Sequence, residues 1–418
     1  MAGSGNTGSL PRRSCVVLIL DGLGDRPVPE LGERTPLEVA RTPNLDRMAG
    51  AGGHGLVDPV ARGVVPNTHS GVGLMLGLEP GQASELKRGP IEAAGAGVEL
   101  RPGDVAFRAN LATLEDRDGR LFVADRRAGR VTGMSAAFAA ELAELDLGDG
   151  IRALFRPTDQ HRGVLVLRGP GLDAAVSDTD PGDGAAPGPV QECRALVQGA
   201  CFTAEKVSRF IILANERLVN HPLNAERLRQ GKLPVTGVIT RGAGAWFKPD
   251  SILARQGVRA AMVAGCNTVL GLARNFGVEA IRQEGFTADT DTDVQGKLGA
   301  ALGALERFPL VYVHIKATDL FSHDFNPGGK RDFIESVDRA LDVFEGCCAA
   351  FALTADHTTD SNTGAHTADP VPALFYDPGA ARPGGESINF GETACREGGL
   401  PRRTGHRFLL EIAAYLES

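Results

Sequence analysis

The sequence predicts an α/β protein: a core with a mainly parallel sheet flanked by helices, carrying a smaller inserted α/β domain. Three observations point there. Short continuous apolar runs recur, and each leads into an acid: CVVLIL (Cys15–Leu20) stops at Asp21, LVYVHI (Leu310–Ile315) leads through Lys316 to Asp319, and AFALT (Ala350–Thr354) leads to Asp356 and His357. Runs without polar alternation are what strands buried on both faces of a parallel sheet require. Between the last two runs, Asp332–Phe344 spaces its apolar residues as a helix does, which completes a βαβ unit. The middle of the chain, from Arg108 to about Val190, reads differently, with a helix-like stretch (Ser135–Leu145), a strand candidate (Gly163–Gly169) and a Gly/Pro-rich loop (Pro181–Pro189). The expected division is therefore a discontinuous core of residues 14–107 and 191–418 with an insert at 108–190. Phe202–Val219 reads as a long helix returning to the main sheet. Further strand candidates are Gly237–Thr240 and Ala260–Ala264. The Gly/Ser-rich start, Met1–Leu10, is expected to be disordered.

Length and composition bound the function. At 418 residues the chain fits two domains, or one with an insertion, and 42% hydrophobic against 23% charged residues is enough to bury a core. Lys+Arg 44 against Asp+Glu 52 gives a net charge of −8 with no basic block, which argues against nucleic acid or an anionic membrane as partner. No apolar run approaches the ~20 residues of a membrane span. The run ending at Asp21 is too short for a secretory signal core, so a soluble, cytoplasmic protein is expected. The seven cysteines are scattered without a CxxC pair, which favours free thiols over a disulfide scaffold or a thiolate zinc site.

In an open parallel sheet, ligands bind beyond the carboxyl ends of the strands. Three strands here deliver acids to that edge. Asp319 and His323 are four residues apart, so a helical turn puts both on one face, able to grip one ion. Asp356 and His357 leave a strand together, His366 follows in AHTADP after a loop that can fold back, and Asp21 completes the set. Three carboxylates and three imidazoles suit Mn²⁺ or Zn²⁺; Mg²⁺ fits the oxygens better than the histidines. Charge arithmetic favours two divalent ions: three clustered aspartates carry about −3, one ion leaves about −1, and two leave about +1, ready for a phosphate dianion. A nucleophile candidate lies in VPNTHSG (Val65–Gly71), just before an apolar helix-like stretch (Val72–Leu78). There a hydroxyl meets free backbone N–H groups, and a bound cation favours its alkoxide.

Ordered motifs then run along nearly the whole chain: DGLGDRP at Asp21, RTPLEVARTPNLD at Arg34, RGPIEAAGAGVELRPGDVAFRANLAT at Arg88, DRRAGR at Asp125, HRGVLVLRG at His161, SDTDP at Ser177, RGAG at Arg241, KATDLFSHD at Lys316, TADHTTD at Thr354 and HTADPVP at His366. Together they resemble the archaeal-type cofactor-independent (2,3-bisphosphoglycerate-independent) phosphoglycerate mutases of the alkaline phosphatase superfamily. The resemblance implies an alkaline-phosphatase-like core and a cap that closes over the site. It implies one metal held by Asp319, His323 and His366, and another by Asp21, Asp356, His357 and the nucleophile hydroxyl. That hydroxyl matches Thr68, with Ser70 the alternative if the loop is shifted by two. His161, Arg162, Asp178, Asp180 and Arg241 fall in motifs matching the substrate grip. The implied chemistry moves a phosphoryl group through the hydroxyl, interconverting 3-phosphoglycerate and 2-phosphoglycerate. The chain departs from the family pattern in three places: Thr68 stands where the family has Ser, and Val72 and Gly182 stand where it commonly has His. Such departures leave open an alternative phosphohydrolase or phosphotransferase acting on another small phosphate or phosphonate. A sulfatase is disfavoured, because the Cys/Ser-x-Pro-x-Arg signature is missing around Thr68. A catalytically silent binding protein would be expected to have lost metal ligands, and none is lost.

Overall fold

A computed structural model describes residues 13–131, 133–182, 188–381 and 388–418. Met1–Leu10 and most of the Gly/Pro-rich Pro181–Pro189 loop lie outside the described residues. The chain divides into two compact units: residues up to Ala83 together with Pro249–Ser418, and Ser84–Lys248.

The first unit is built on an eight-stranded sheet. The strand Cys15–Leu20 lies at its centre, parallel to Leu310–Ile315 on one side and to Ala350–Thr354 on the other. Ala260–Val263 and Glu279–Ile281 extend the parallel part. Beyond Ala350–Thr354, the strand Val371–Tyr376 runs antiparallel, and Gly53–Asp58 pairs antiparallel with it in turn. Every residue of the three central strands is buried, as uninterrupted apolar runs require. Register then fixes chemistry. Ile19 pairs with His314 and with Thr354, so the chain leaves all three strands at one level, with Asp21, Lys316 and Asp356 just beyond the edge. The Asp21 N–H still donates to the Ile315 carbonyl at 2.9 Å, which carries the ladder one step past the strand.

The second unit is antiparallel. Its organising element is a 13-residue strand, Val105–Arg117, that pairs with Arg162–Arg168, Gly237–Ala245 and Arg120–Asp125. This unit is wider on both sides than the expected 108–190, for a physical reason. The long helix Cys201–Leu218 does not return to the main sheet. It buries Ala204, Val207, Phe210, Ala214 and Leu218 in the same core as Phe138 and Phe155. The strand Gly237–Ala245 likewise completes this second sheet. Such pairings join residues more than a hundred positions apart, which local sequence patterns do not encode. Ser135–Leu145 proves to be a short helix, Ser135–Ala140, followed by the strand Glu144–Asp146.

One buried acid makes the fold pH-sensitive. Glu392 accepts from the Asp25 N–H at 3.1 Å and from the Thr35 hydroxyl at 2.6 Å, tying the loop after the first strand to the Glu392–Glu397 helix. Burial pushes its pKa from 4.5 up to about 7. The folded state then holds a proton that the unfolded chain releases. The associated stability is complete below about 4.5 and is lost as pH rises through about 7. Glu392→Gln is expected to flatten this part of the pH–stability curve, an effect of about 3 kcal/mol by linkage, read by urea denaturation at pH 5 and pH 8.

Candidate metal centre

The strand edge of the first unit gathers Asp21, Asp319, His323, Asp356, His357 and His366. Three overlapping groups have ligand atoms within 4.8 Å of one another: Asp319 with His323 and His366, Asp21 with Asp319 and His357, and Asp21 with Asp356 and His314. The expected helical turn exists as Ala317–His323, and it sets His323 Nε2 3.3 Å from Asp319 Oδ1. His366 comes back on the short strand Ala365–Thr367, its Nε2 3.5 Å from the same oxygen.

Hydrogen bonds fix the histidine tautomers. His323 Nδ1 lies 2.7 Å from the Gly364 carbonyl, and His366 Nδ1 lies 3.2 Å from the Pro66 carbonyl. A carbonyl can only accept, so both Nδ1 atoms carry a proton, which leaves Nε2 as the nitrogen each ring can offer to the centre. Thr359 does the same for His357. Its hydroxyl donates to Asp319 Oδ1 at 2.8 Å, so it must accept from His357 Nδ1 at 2.9 Å. One hydroxyl thereby joins ligand candidates from two of the groups. Gly22 passes so close that a Cβ there would fall 2.5 Å from this oxygen.

The site also fits a cation by what it leaves unsatisfied. Asp21 Oδ1, Asp356 Oδ2 and His357 Nε2 are buried and lack aligned hydrogen-bond partners, although His357 Nε2 stands 3.1 Å from Asp21 Oδ1. Acceptor atoms facing one another in a dry site repel, unless a cation or a proton sits between them. Mixed carboxylate and imidazole donors suit Mn²⁺ or Zn²⁺.

Charge is partly met by Lys316, whose ammonium reaches Asp21 Oδ2 at 3.0 Å and Asp319 Oδ2 at 2.7 Å. Burial alone would raise the pKa of both aspartates, but Lys316 and the neighbouring histidines outweigh it and hold both below the usual carboxylate range. Asp356, raised by burial and by Asp21, goes the other way. His357 loses charge stability to burial but gains more from Asp356 and Asp21, and is pushed up to about 9. An ion taking its Nε2 displaces that proton.

The nucleophile candidates sit on the helix Thr68–Met75. Asn67 caps it: its side chain accepts from Ser70 N at 2.9 Å, and the Ser70 hydroxyl accepts from Asn67 N at 3.1 Å while donating to Asn67 O at 3.0 Å. The Ser70 oxygen is thus engaged in a capping box, whereas Thr68 stands at the first helical position, half-buried. The turn is pressed onto the centre, since Pro66 meets His366 and a Cβ at Gly71 would fall 2.2 Å from the Asp356 carbonyl oxygen. Gly71→Ala is therefore expected to push the helix off Asp356. The expected cost is about 1–3 kcal/mol in denaturant titrations, with weakened metal affinity by calorimetry. Val72 is wholly buried, so a histidine there would need a buried partner.

The five remaining residues expected at the site lie in the second unit. His161 is buried, and burial together with Arg162, Arg127 and Arg108 pushes its pKa down to about 4, so it is neutral near pH 7. Arg241 faces Arg108 across paired strands, and Arg162 faces Asn110. Asp180 grips Arg126 with both oxygens, at 2.6 and 2.7 Å, and Asp178 accepts from Gly242 N at 2.8 Å. These two acids therefore brace neighbouring groups, and as acceptors they suit a substrate hydroxyl rather than a phosphate or carboxylate. Gly182 adopts φ +101°, a backbone conformation that favours glycine. Arg108, paired with Arg241, joins this group. It is buried, its Nε lacks a partner, and burial together with Arg88 lowers its pKa to about 9. A clue was present in the sequence, since it lies in the motif beginning at Arg88.

Comparison with known proteins agrees with this geometry. The Metalloenzyme superfamily model matches residues 13–409. A 2,3-bisphosphoglycerate-independent phosphoglycerate mutase of Ignicoccus hospitalis is 41% identical over 391 residues, covering 92% of each chain. That of Methanopyrus kandleri is 40% identical, covering 95% of each. Among solved structures, a protein of Pyrococcus horikoshii superposes with TM-score 0.79 at 29% identity, covering 97% of this chain and 98% of its own. The cofactor-independent phosphoglycerate mutase of Thermoplasma acidophilum gives 0.71 at 31% identity, covering 97% and 100%.

Proposed function

The chain belongs to the metalloenzyme superfamily and, within it, to the 2,3-bisphosphoglycerate-independent phosphoglycerate mutases, and on that footing we propose that it interconverts 3-phosphoglycerate and 2-phosphoglycerate by passing the phosphoryl group through Thr68. The observation that carries this reading is the convergence of three acids and three histidines, each histidine's Nδ1 anchored away from the centre, against the first turn of the helix that bears Thr68.

Asp319, His323 and His366 would hold one divalent ion, and Asp21, Asp356, His357 and the Thr68 hydroxyl the other. Mn²⁺ suits these donors best, with Zn²⁺ or Mg²⁺ as alternatives. When bound, the ions supply charge for the transferring phosphoryl oxygens and lower the pKa of the hydroxyl. The chain's own residues do the rest. Thr68 Oγ1 gives up its proton and attacks phosphorus, the bond to the glycerate oxygen breaks, and that oxygen takes up a proton in its place. The glycerate's other hydroxyl then gives up its proton and attacks the phosphothreonine, the bond from phosphorus to Thr68 Oγ1 breaks, and Oγ1 regains a proton. The helix N-terminus favours the anion, and the Lys316 ammonium offsets the carboxylates that would repel it. His161, Arg162, Arg241 and Arg108 present cationic and polar groups suited to a phosphate and a carboxylate, while Asp178 and Asp180 hold that cluster in shape.

The test is an enolase-coupled assay run beside a phosphate-release assay on 3-phosphoglycerate. Coupled signal without free phosphate is the expected result; free phosphate alone would make the chain a phosphohydrolase. Arg108→Met is expected to raise KM for 3-phosphoglycerate at least about tenfold, because a charge-assisted contact is worth roughly 1.5–3 kcal/mol.

A further inference from the structure

The apolar run Leu310–Ile315 contains one polar residue, His314, which no motif assignment uses. It is almost wholly buried, and neither ring nitrogen has a hydrogen-bond partner. Its Nε2 stands 3.2 Å from Asp21 Oδ2 without the alignment of a hydrogen bond, and its ligand atom lies within 4.8 Å of those of Asp21 and Asp356. A buried imidazole left unpaired is costly, and Val would fill the strand position without that cost. The ring also faces the corner where Asp21 Oδ1, Asp356 Oδ2 and His357 Nε2 are unsatisfied. Its backbone is held firmly: the strand pairs it with Ile19, and Lys297 Nζ lies 3.3 Å from its carbonyl oxygen.

We propose that His314 is a further ligand of the ion held by Asp21 and Asp356, donating through a ring nitrogen from beneath the strand edge. The inference rests on the two-metal reading above and deepens it. The ion on this side then has two imidazoles, His314 and His357, and two carboxylates. That donor set moves its preference away from Mg²⁺ and towards Zn²⁺ or Mn²⁺. It also makes the two ions chemically unlike, because the Asp319 side offers one carboxylate shared by two exposed-side imidazoles.

The experiment uses the full chain with its nine histidines labelled with ¹⁵N and the protein loaded with ¹¹³Cd²⁺. Metal content is measured on the same sample. Four histidine nitrogens coupled to cadmium are expected in the native protein: His314, His323, His357 and His366. In His314→Gln one coupling should vanish, and the ion held by Asp21 and Asp356 should lose at least about tenfold in affinity by calorimetry. Three couplings in the native protein, none of them lost in His314→Gln, would overturn the proposal and leave the two-metal reading standing. No coupling with no bound metal would overturn both. Should His314→Gln fail to fold, the native count of four or three decides alone.

Discussion

Asp319→Asn is expected to cut kcat/KM on the order of 10³-fold, the scale lost when a charge-stabilising group is removed from a polar active site. The reason is convergence. Asp319 Oδ1 is approached by His323, His366 and the Thr359 hydroxyl, and its Oδ2 by Lys316. An amide there would either turn its NH₂ towards the ammonium or present a donor to two imidazole lone pairs. The variant should therefore lose one ion per chain by elemental analysis while keeping its far-ultraviolet circular dichroism. Full activity at full metal content would remove Asp319 from the site.

Thr68→Ala carries the second large effect. Loss of a covalent nucleophile is expected to lower turnover on the order of 10⁵-fold, with metal still bound, because the carboxylates and imidazoles remain. Thr68→Ser should retain activity, since it keeps the hydroxyl and removes only a methyl group. Ser70→Ala makes the contrast. It breaks the capping box with Asn67, so it should cost about 1 kcal/mol of stability while turnover stays close to native. The reverse pattern, with Ser70→Ala inactive and Thr68→Ala mild, would move the nucleophile two residues along the helix.

Much of the centre was legible because it rests on a topological rule. Apolar runs that end in acids place those acids at one edge once the strands are parallel, and the pairing of Ile19 with both His314 and Thr354 is that rule in coordinates. The helical turn joining Asp319 to His323 follows from spacing alone. What stayed hidden is non-local. His314 reads as one residue of a buried strand, and only the register against Cys15–Leu20 places it beside Asp21. Lys316 stands within a recognised motif, but its bridge between two carboxylates depends on side-chain reach. The wider second unit arises from Val105–Arg117 recruiting a helix and a strand from beyond residue 200, across pairings that local periodicity does not reveal. Asp178 and Asp180 carry the right motif, and their bonds to Gly242 and Arg126 show what those carboxylates actually touch.

The most direct test of the account is metal stoichiometry measured with turnover on one preparation. Elemental analysis of the active protein should give two divalent ions per chain. Exhaustive chelation should abolish conversion of 3-phosphoglycerate, and added Mn²⁺ should restore both the ions and the rate. Undiminished turnover in protein stripped of all divalent metal would contradict it.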